Sequence, residues 1–198
     1  MLYERLDTGI IGGFLLTVAL VCVPGGIYNQ WHVDRLVSQI EKHLTIPHEF
    51  YVIRESNKPS WWAKVDLSEP GRFSGRVLYL DLDVKVVGDL DDLACIDAPF
   101  AAIKDYQYPM TINSSVMTWD AGVSDHVFTE FTPSVMKRFR GDQNWINNRI
   151  PWARRFPREW CVSYKATVRP LGRVPADARV IVYHGEPKPW SLEESVHD

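Results

Sequence analysis

Two aspartates that follow an apolar run are the residues of this 198-residue chain best suited to chemistry. Asp81 and Asp83 flank Leu82 at the end of the predicted strand 76–82. Residues two apart in an extended strand share a face, so the pattern predicts that both carboxylates point the same way while Leu82 packs inward. Two adjacent carboxylates repel unless a cation lies beside them, and their oxygens suit Mg²⁺ or Mn²⁺ shared with a phosphate group. An acidic turn exposed to solvent is the alternative.

A histidine and a lysine near the C-terminus form a second candidate pair. His184 follows the predicted strand 180–183 and begins a loop rich in Gly and Pro, where its imidazole could complete a metal site and favour Mn²⁺ over Mg²⁺. Lys188 lies between two prolines that stiffen its backbone, and phosphate is the anion that suits its ammonium group. Each residue alone has an ordinary structural explanation, but together with the aspartates they indicate a site for a metal and a phosphate.

The elements that must position these residues alternate between strands and helices. Apolar residues at helical spacing over 33–44, between the predicted strands 14–23 and 50–53, define a strand–helix–strand unit. Further strands are predicted at 76–82, 100–103, 115–119 and 180–183, with a short helical region over 132–150. This order predicts an α/β protein, a three-layer α/β/α sandwich with a mostly parallel central sheet, whose ligands bind at the carboxyl ends of the strands.

Composition and charge exclude several classes of protein. With 45% hydrophobic and 24% charged residues the chain is an ordinary globular one, and its length predicts one domain over residues 1–198 with a core of about 14–190. A net charge of −3 gives no basic field that would recruit nucleic acid. The three cysteines fit neither a disulfide scaffold nor a zinc module, and they suit a reducing compartment. Eight tryptophans are the unusual feature, and five of them lie near a candidate site residue in the sequence.

The apolar run 9–23 is the one candidate for a membrane or targeting segment. It is shorter than the roughly 20 residues that a membrane span needs. The residues before it include Glu4 and Asp7 as well as Arg5, which is not the positive region of a signal peptide. A buried strand explains the run, with a membrane anchor as the minor alternative, so we expect no transmembrane segment and a cytoplasmic protein.

Five motifs, in order along the chain, resemble those of retaining glycosyltransferases with the GT-A fold. Within that group they are similar to glycosyltransferase family 8, which includes glycogenin and the lipopolysaccharide galactosyltransferases. The motifs are the first strand 18–23 with Tyr28, the Asp81-Leu82-Asp83 strand end, the segment 113–117, Asp142-Gln143 with Asn147, and His184-Gly185 followed by Lys188-Pro189-Trp190. The resemblance extends from about Leu16 to Trp190.

The resemblance implies a metal-dependent hexosyltransferase that moves a sugar from a nucleoside diphosphate donor, a UDP-hexose, to a saccharide, lipid or protein acceptor with retention of configuration. It implies Mn²⁺ or Mg²⁺ as the cofactor, held by Asp81, Asp83 and His184. Gly185 and Lys188 would contact the diphosphate.

The resemblance also assigns residues to the nucleoside and the sugar. Tyr28 would lie near the nucleotide base, and Lys64 matches a family lysine that reaches the donor. Asn113, Asp142 and Gln143 would hold the sugar. We expect Asp142 to be nearest the reacting carbon, with Gln143 beside it, which makes these two the candidate catalytic residues. The alternative role of Asp142 is that of a helix N-cap.

Some features depart from the family pattern and leave other functions open. Ser115 replaces the usual glycine, Asn144 stands where a second acid often follows, and the chain is short for the family. A non-catalytic nucleotide-sugar binding protein is one alternative. A phosphohydrolase of the haloacid-dehalogenase type is another, because its nucleophile motif is also Asp-x-Asp after an apolar strand, although Lys85 stands where that motif usually has Thr or Val.

Overall fold

The computed structural model describes residues 5–6 and 16–193. The first two residues of the predicted strand 14–23, and the first seven of the apolar run 9–23, lie outside the described residues. Within the described part of the chain, none of the helices has the length and apolar character that crossing a membrane requires.

Within the described residues, ten strands form two sheets. They are β1 (Arg5–Leu6), β2 (Leu16–Val21), β3 (His48–Ile53), β4 (Arg76–Leu80), β5 (Val84–Val86), β6 (Phe100–Lys104), β7 (Ile112–Asp120), β8 (Arg154–Arg155), β9 (Cys161–Ser163) and β10 (Val180–Val182). The central sheet has the order β1-β3-β2-β4-β7-β6-β8, and the small sheet has the order β5-β10-β9. In the central sheet β1 and β7 pair antiparallel with their neighbours, so the other five strands all point the same way.

Helices connect the strands and cover both faces of the central sheet. They are α1 (Gln30–His43), α2 (Asp91–Ala94), α3 (Asp125–Thr129), α4 (Pro133–Arg138), α5 (Asp142–Arg149), α6 (Arg169–Leu171) and α7 (Pro189–Glu193), with a 3-10 helix at Ser60–Ser68 and a π-helical turn at Tyr164–Val168. The helix predicted over 33–44 is α1, and the helical region predicted over 132–150 contains α4 and α5.

The core lies on both faces of the central sheet because successive residues of each strand point to opposite sides. On β2, Val18 and Leu20 pack with Leu36 of α1 and with the small sheet. Ala19 faces the other way, in a cluster that contains Trp62 of the 3-10 helix and Ile146 of α5. The predicted three-layer α/β architecture is therefore confirmed, with the difference that one outer layer combines α1 with the small sheet.

The strand that leads to the aspartate pair ends earlier than predicted. The prediction that Asp81 and Asp83 share one face of an extended strand is wrong, because β4 ends at Leu80 and the chain turns at Leu82 and Asp83. Asp81 still donates its backbone N–H to the Ser115 carbonyl oxygen at 2.8 Å. The turn is needed because β5 leaves the central sheet to pair with β10. Leu82 is buried, as predicted.

Most of the tryptophans that lie near site residues in the sequence serve the core. Trp62, Trp119 and Trp145 are buried in the cluster on the α5 face of the sheet. Trp145 donates its indole N–H to the Val127 carbonyl oxygen at 2.9 Å. Trp61 is about half exposed, and Trp190 contacts Tyr28, one of the candidate donor-binding residues. For Trp62, Trp119 and Trp145, proximity in the sequence to a site residue therefore reflects packing of the core.

The close contact between Gly88, which follows β5, and Ala178, which precedes β10, provides a test of the fold. A Cβ on Gly88 would come within 2.8 Å of the Ala178 carbonyl oxygen, which is closer than carbon and oxygen can pack. We predict that Gly88→Ala lowers the free energy of unfolding by about 1–3 kcal/mol through overpacking, measured by urea denaturation. Gly26→Ala is the control, because a Cβ there meets nothing closer than 3.8 Å. Equal stability of the two variants would contradict the close approach.

Candidate active site

Several of the candidate side chains follow strand ends at one edge of the central sheet. Asp81 comes directly after β4, and Asp105 directly after β6, which points the same way as β4. The antiparallel strand β7 begins at this same edge, so Asn113 and Ser114 also lie there. This is the edge at which open α/β sheets bind ligands.

A buried ammonium group lies at the centre of the site. Lys64, on the 3-10 helix, places its Nζ atom 2.9 Å from Oδ1 of Asp81 and 3.1 Å from Oδ2 of Asp142. The same nitrogen lies 3.2 Å from Oγ and 3.3 Å from the carbonyl oxygen of Ser114. Lys64 therefore joins the end of β4, the start of α5 and the start of β7, three elements that are far apart in the sequence.

The charges around Lys64 decide its protonation state. Burial by itself lowers the pKa of Lys64, but the carboxylates of Asp142 and Asp81 outweigh that effect and raise the pKa above its ordinary value. Tyr79 donates its hydroxyl to Oδ1 of Asp81 at 2.5 Å, and burial followed by the Asp81 charge raises the pKa of Tyr79. Lys64 therefore stays charged and Tyr79 stays protonated at neutral pH, and both donate to Asp81.

An irregularity in β7 brings its first residues into the site. The pairing with β6 shifts between Ala102, opposite Met117, and Ile103, opposite Asn113, so β7 has extra residues at this point. Bulges of this kind change the direction of side chains beside active sites. Ser114 consequently donates its hydroxyl to Asp142 at 2.9 Å, and Asn113 accepts the Ser115 N–H on Oδ1 at 3.0 Å.

The amide of Gln143 is held at both ends. Its Nε2 atom donates to Oδ2 of Asp105 at 2.8 Å, and its Oε1 atom accepts the backbone N–H of Ser114 at 3.3 Å. Oδ1 of Asp105 accepts the backbone N–H groups of Gln107 and Tyr108. Because Asp105 can only accept, it fixes which end of the Gln143 amide faces the sheet.

Asp142 lies at the start of α5 but does not cap the helix, which was the alternative role considered above. Asp142 is the first helical residue, the N-cap is Gly141, and no side-chain capping bond is made at this helix end. The carboxylate of Asp142 is buried and contacts Lys64 and Ser114. A capping role for Asp142 is therefore wrong in this structure.

The second aspartate of the pair has partners of its own. Lys188 places Nζ 2.5 Å from Oδ2 of Asp83, and Tyr28 lies near enough to Asp83 for the charge of that carboxylate to act on its hydroxyl. Burial and then the charges of Asp83 and Asp81 raise the pKa of Tyr28. Trp190 packs edge-on against Tyr28 with ring centroids 6.3 Å apart. The loop that follows β10 is thus held against the turn that follows β4.

His184 directly follows the small sheet and is half-buried. Its Nε2 atom is buried and has no hydrogen-bond partner among the described residues, and its ring packs edge-on against Tyr106 at 4.9 Å. Burial lowers the pKa of His184, although the charges of Asp105, Asp83 and Asp81 oppose this, and the charge of Lys165 adds to the lowering. The imidazole is therefore neutral at pH 7, which is the form that binds metals.

The predicted metal ligands fit a metal by type but are not gathered around one point. Two carboxylates and an imidazole nitrogen that lacks a partner suit Mn²⁺ or Mg²⁺. Across residues 5–6 and 16–193, however, no three His, Cys, Asp or Glu side chains lie close enough together to hold a metal ion. Both carboxylates instead contact lysines, Asp81 with Lys64 and Asp83 with Lys188.

Sequence reasoning missed several residues of the site. Asp105 follows the apolar strand β6 as Asp81 follows β4, so the same signal could have found it. Ser114 lies in the segment 113–117, but the resemblance assigned it no role. Arg35 of α1 donates to the carbonyl oxygens of Leu82 and Val84 and so holds the turn that carries Asp83. Nothing in the sequence indicates this contact, because it joins residues 47 and 49 positions apart.

Comparison with solved structures identifies the fold as that of glycosyltransferases of the GT-A type. The galactosyltransferase LgtC, solved in complex with donor and acceptor sugar analogs, matches with a TM-score of 0.60 at 16% identity over 88% of this chain and 89% of LgtC. A glycosyltransferase involved in the glycosylation of the major capsid of PBCV-1 matches with a TM-score of 0.60 at 15% identity over 91% of this chain and 97% of the other. The fold expected from the resemblance is confirmed.

GlyE, a glycosyltransferase of Streptococcus pneumoniae TIGR4, is also similar, with a TM-score of 0.63 at 15% identity over 88% of this chain. The present chain spans about half of GlyE, 56% of its length. No protein-family model matches the sequence, and no curated protein sequence matches it.

The contacts of Lys64 predict a large effect on stability. Lys64→Met would leave the buried carboxylate of Asp142 and the partly buried carboxylate of Asp81 without their ammonium partner. We therefore expect the free energy of unfolding to fall by about 3–5 kcal/mol in urea denaturation. Lys137→Met is the control, because Lys137 is exposed on α4 and its replacement should change stability by less than about 0.5 kcal/mol. Adding Asp142→Asn to Lys64→Met should restore part of the loss. A Lys64→Met protein as stable as the control would rule out the central ion pair.

Proposed function

We propose that the protein is a glycosyltransferase that moves a hexose from a UDP-hexose, or another nucleoside diphosphate donor, to a saccharide, lipid or protein acceptor, within one domain of about residues 14–190. The observation that carries the proposal is the ion pair of Lys188 with Asp83, beside Asp81 at the carboxyl edge of a sheet with this fold. His184 lies near enough for the charges of both aspartates to act on it. LgtC, which shares the fold, was solved with donor and acceptor sugar analogs.

We propose that the nucleoside lies where the chain leaves the first parallel strands of the sheet. An open hollow beyond β2 and β3 is lined by Val23, Pro24 and residues 55–60. Tyr28, in the loop between β2 and α1, lies near Asp83, so this loop lies beside the acidic pair formed by Asp81 and Asp83. A donor that bound here would extend its phosphates towards Asp83.

The leaving group in this reaction is the nucleoside diphosphate. Transfer breaks the bond between the anomeric carbon and a phosphate oxygen, and the electron pair of that bond stays with the phosphate. Stabilisation of the charge that develops requires positive groups already in place. Lys188 is buried and fixed at the acidic pair, and Gly185 leaves the backbone beside it without a side chain, so these two residues suit the diphosphate.

We propose that Asp81, Asp83 and His184 hold the divalent metal, Mn²⁺ or Mg²⁺, when the donor is bound. The partnerless nitrogen of His184 supports this assignment. A bound metal would supply Lewis-acid stabilisation of the phosphate oxygens. Lys64 and Lys188 contact the two carboxylates in the structure and hold them in position at this edge of the sheet.

The sugar would lie against the buried cluster formed by α5 and β7. Asp142, with a carboxylate held by Lys64 and Ser114, is the residue that we place nearest the anomeric carbon. Gln143 directly follows Asp142 and accepts the Ser114 N–H, and Asn113 directly precedes Ser114 and accepts the Ser115 N–H. We propose retention of configuration from the resemblance to family 8, with Asp142 as the negative group that faces the developing charge on the carbon.

One observation favours the non-catalytic alternative. The carboxylate of Asp142 and both ends of the Gln143 amide are already engaged by protein groups. A protein that binds a nucleotide sugar without transferring it would tolerate this arrangement. Release of nucleoside diphosphate over many turnovers, measured with a panel of saccharide and lipid acceptors, separates a transferase from such a binding protein.

The proposed donor site is tested by thermal unfolding with ligands. We expect UDP-hexoses to raise the unfolding temperature more in the presence of Mn²⁺ than in EDTA, since a ligand at a hundredfold excess over its Kd adds about 2.7 kcal/mol to the stability of the folded state. In Asp83→Asn the increment that depends on Mn²⁺ should disappear. Asp97→Asn, at an exposed aspartate away from the acidic pair in the sequence, should keep it. An Asp83→Asn protein with the full increment would overturn the metal assignment.

A further inference from the structure

Lys165 is a cation beside the proposed phosphate site to which none of the motifs assigns a role. It belongs to the π-helical turn that directly follows β9, and β9 runs parallel to β10, with Ser163 opposite Val182. Lys165 therefore lies next to the place where the chain emerges from β10 as His184 and Gly185. π-helical turns occur frequently at functional sites.

The position of Lys165 is fixed by the packing of its neighbours. Tyr164 stacks on Tyr183 with ring centroids 4.9 Å apart and an angle of 14° between the rings. Ser163 accepts the backbone N–H of Ala166 on its hydroxyl oxygen at 3.2 Å, which holds the first turn. Lys165 lies between Tyr164 and Ala166 in the sequence, so its backbone is held beside the loop that follows β10.

The ammonium group of Lys165 is directed towards the backbone of Gly185. Its Nζ atom lies 3.8 Å from the point at which a Cβ on Gly185 would stand. Gly185 is exposed and has a positive φ of 69°, a conformation that glycine adopts without strain. A ligand that approaches the Gly185 backbone therefore meets the ammonium group of Lys165 at the same place.

Lys165 differs from the other two lysines of the site in having no acidic partner. Lys64 contacts Asp81 and Asp142, and Lys188 contacts Asp83. Among the residues that the structure describes, Lys165 makes no ion pair or hydrogen bond through its side chain, even though Glu186 directly follows Gly185 in the sequence. An exposed ammonium that lies beside the Gly185 backbone without an acidic partner is available for an anionic ligand.

We propose that Lys165 binds the diphosphate of the nucleotide, together with Gly185 and Lys188. This assignment rests on the proposed function, since it names a further residue for the same donor site. Lys188 holds the acidic pair and the diphosphate together, whereas Lys165 adds a positive charge that is used only when the phosphate arrives. A group of this kind contributes to the binding of the diphosphate product as well as of the donor.

The test compares nucleotides that differ only in their phosphates. Binding of UDP, UMP and uridine is measured by titration calorimetry in Mn²⁺ and in EDTA, with GDP and ADP in parallel. We expect Lys165→Ala to weaken binding of the diphosphate about tenfold, which corresponds to the loss of one charge-assisted contact, and to leave uridine binding unchanged. Lys165→Arg should retain most of the affinity because it keeps the charge.

Lys137→Ala is the matched control, because Lys137 is also an exposed lysine but lies on α4. If the wild-type protein binds a nucleoside diphosphate and Lys165→Ala binds it as tightly as Lys137→Ala does, the role of Lys165 is overturned while the proposed function stands. If the wild-type protein binds none of the nucleoside diphosphates, the proposed function fails and the role of Lys165 fails with it. An equal loss of uridine affinity in Lys165→Ala would show that the residue supports the fold of the site and does not bind phosphate.

Discussion

The buried ammonium of Lys64 is the contact on which the geometry of the candidate site depends. It holds two carboxylates, Asp81 and Asp142, and the backbone of Ser114 around one nitrogen. Each of these acids would repel the other if the lysine were absent, and burying either alone would be costly. One nitrogen therefore holds four elements together: the 3-10 helix, the end of β4, the start of β7 and the start of α5. The site and the fold are coupled at this point.

A second group of contacts holds the C-terminal loop to the same edge of the sheet. Lys188 contacts Asp83, and Arg35 holds the turn that carries Asp83. His184 follows the last strand of the small sheet, and Lys165 lies beside Gly185. Because β5 leaves the central sheet to join β10, the residues that follow β4 and those that follow β10 become neighbours. The small sheet thus positions the residues of the proposed phosphate side of the site, as Lys64 positions those of the proposed sugar side.

Much of the fold could be predicted from the sequence because the apolar residues of most strands and of α1 follow the pattern typical of their secondary structure. The strands at 50–53, 76–82, 100–103, 115–119 and 180–183 all have counterparts, with ends that differ by at most three residues. The end of β4 was misplaced because apolar residues continue to alternate through the turn at Leu82 and Asp83. Periodicity records which residues are buried, and Leu82 is buried whether the chain is extended or turning.

The sequence by itself determined the α/β class, the motif order that resembles family 8, and the identity of most residues that meet at the site. Only the tertiary structure decided how they are paired: that Lys64 joins Asp81 to Asp142, that Asp105 orients Gln143, and that Lys165 faces Gly185. The physical reason is that residue type and local spacing report burial and backbone conformation. Ion pairs between positions tens of residues apart depend on how sheets and helices pack, which no local pattern encodes.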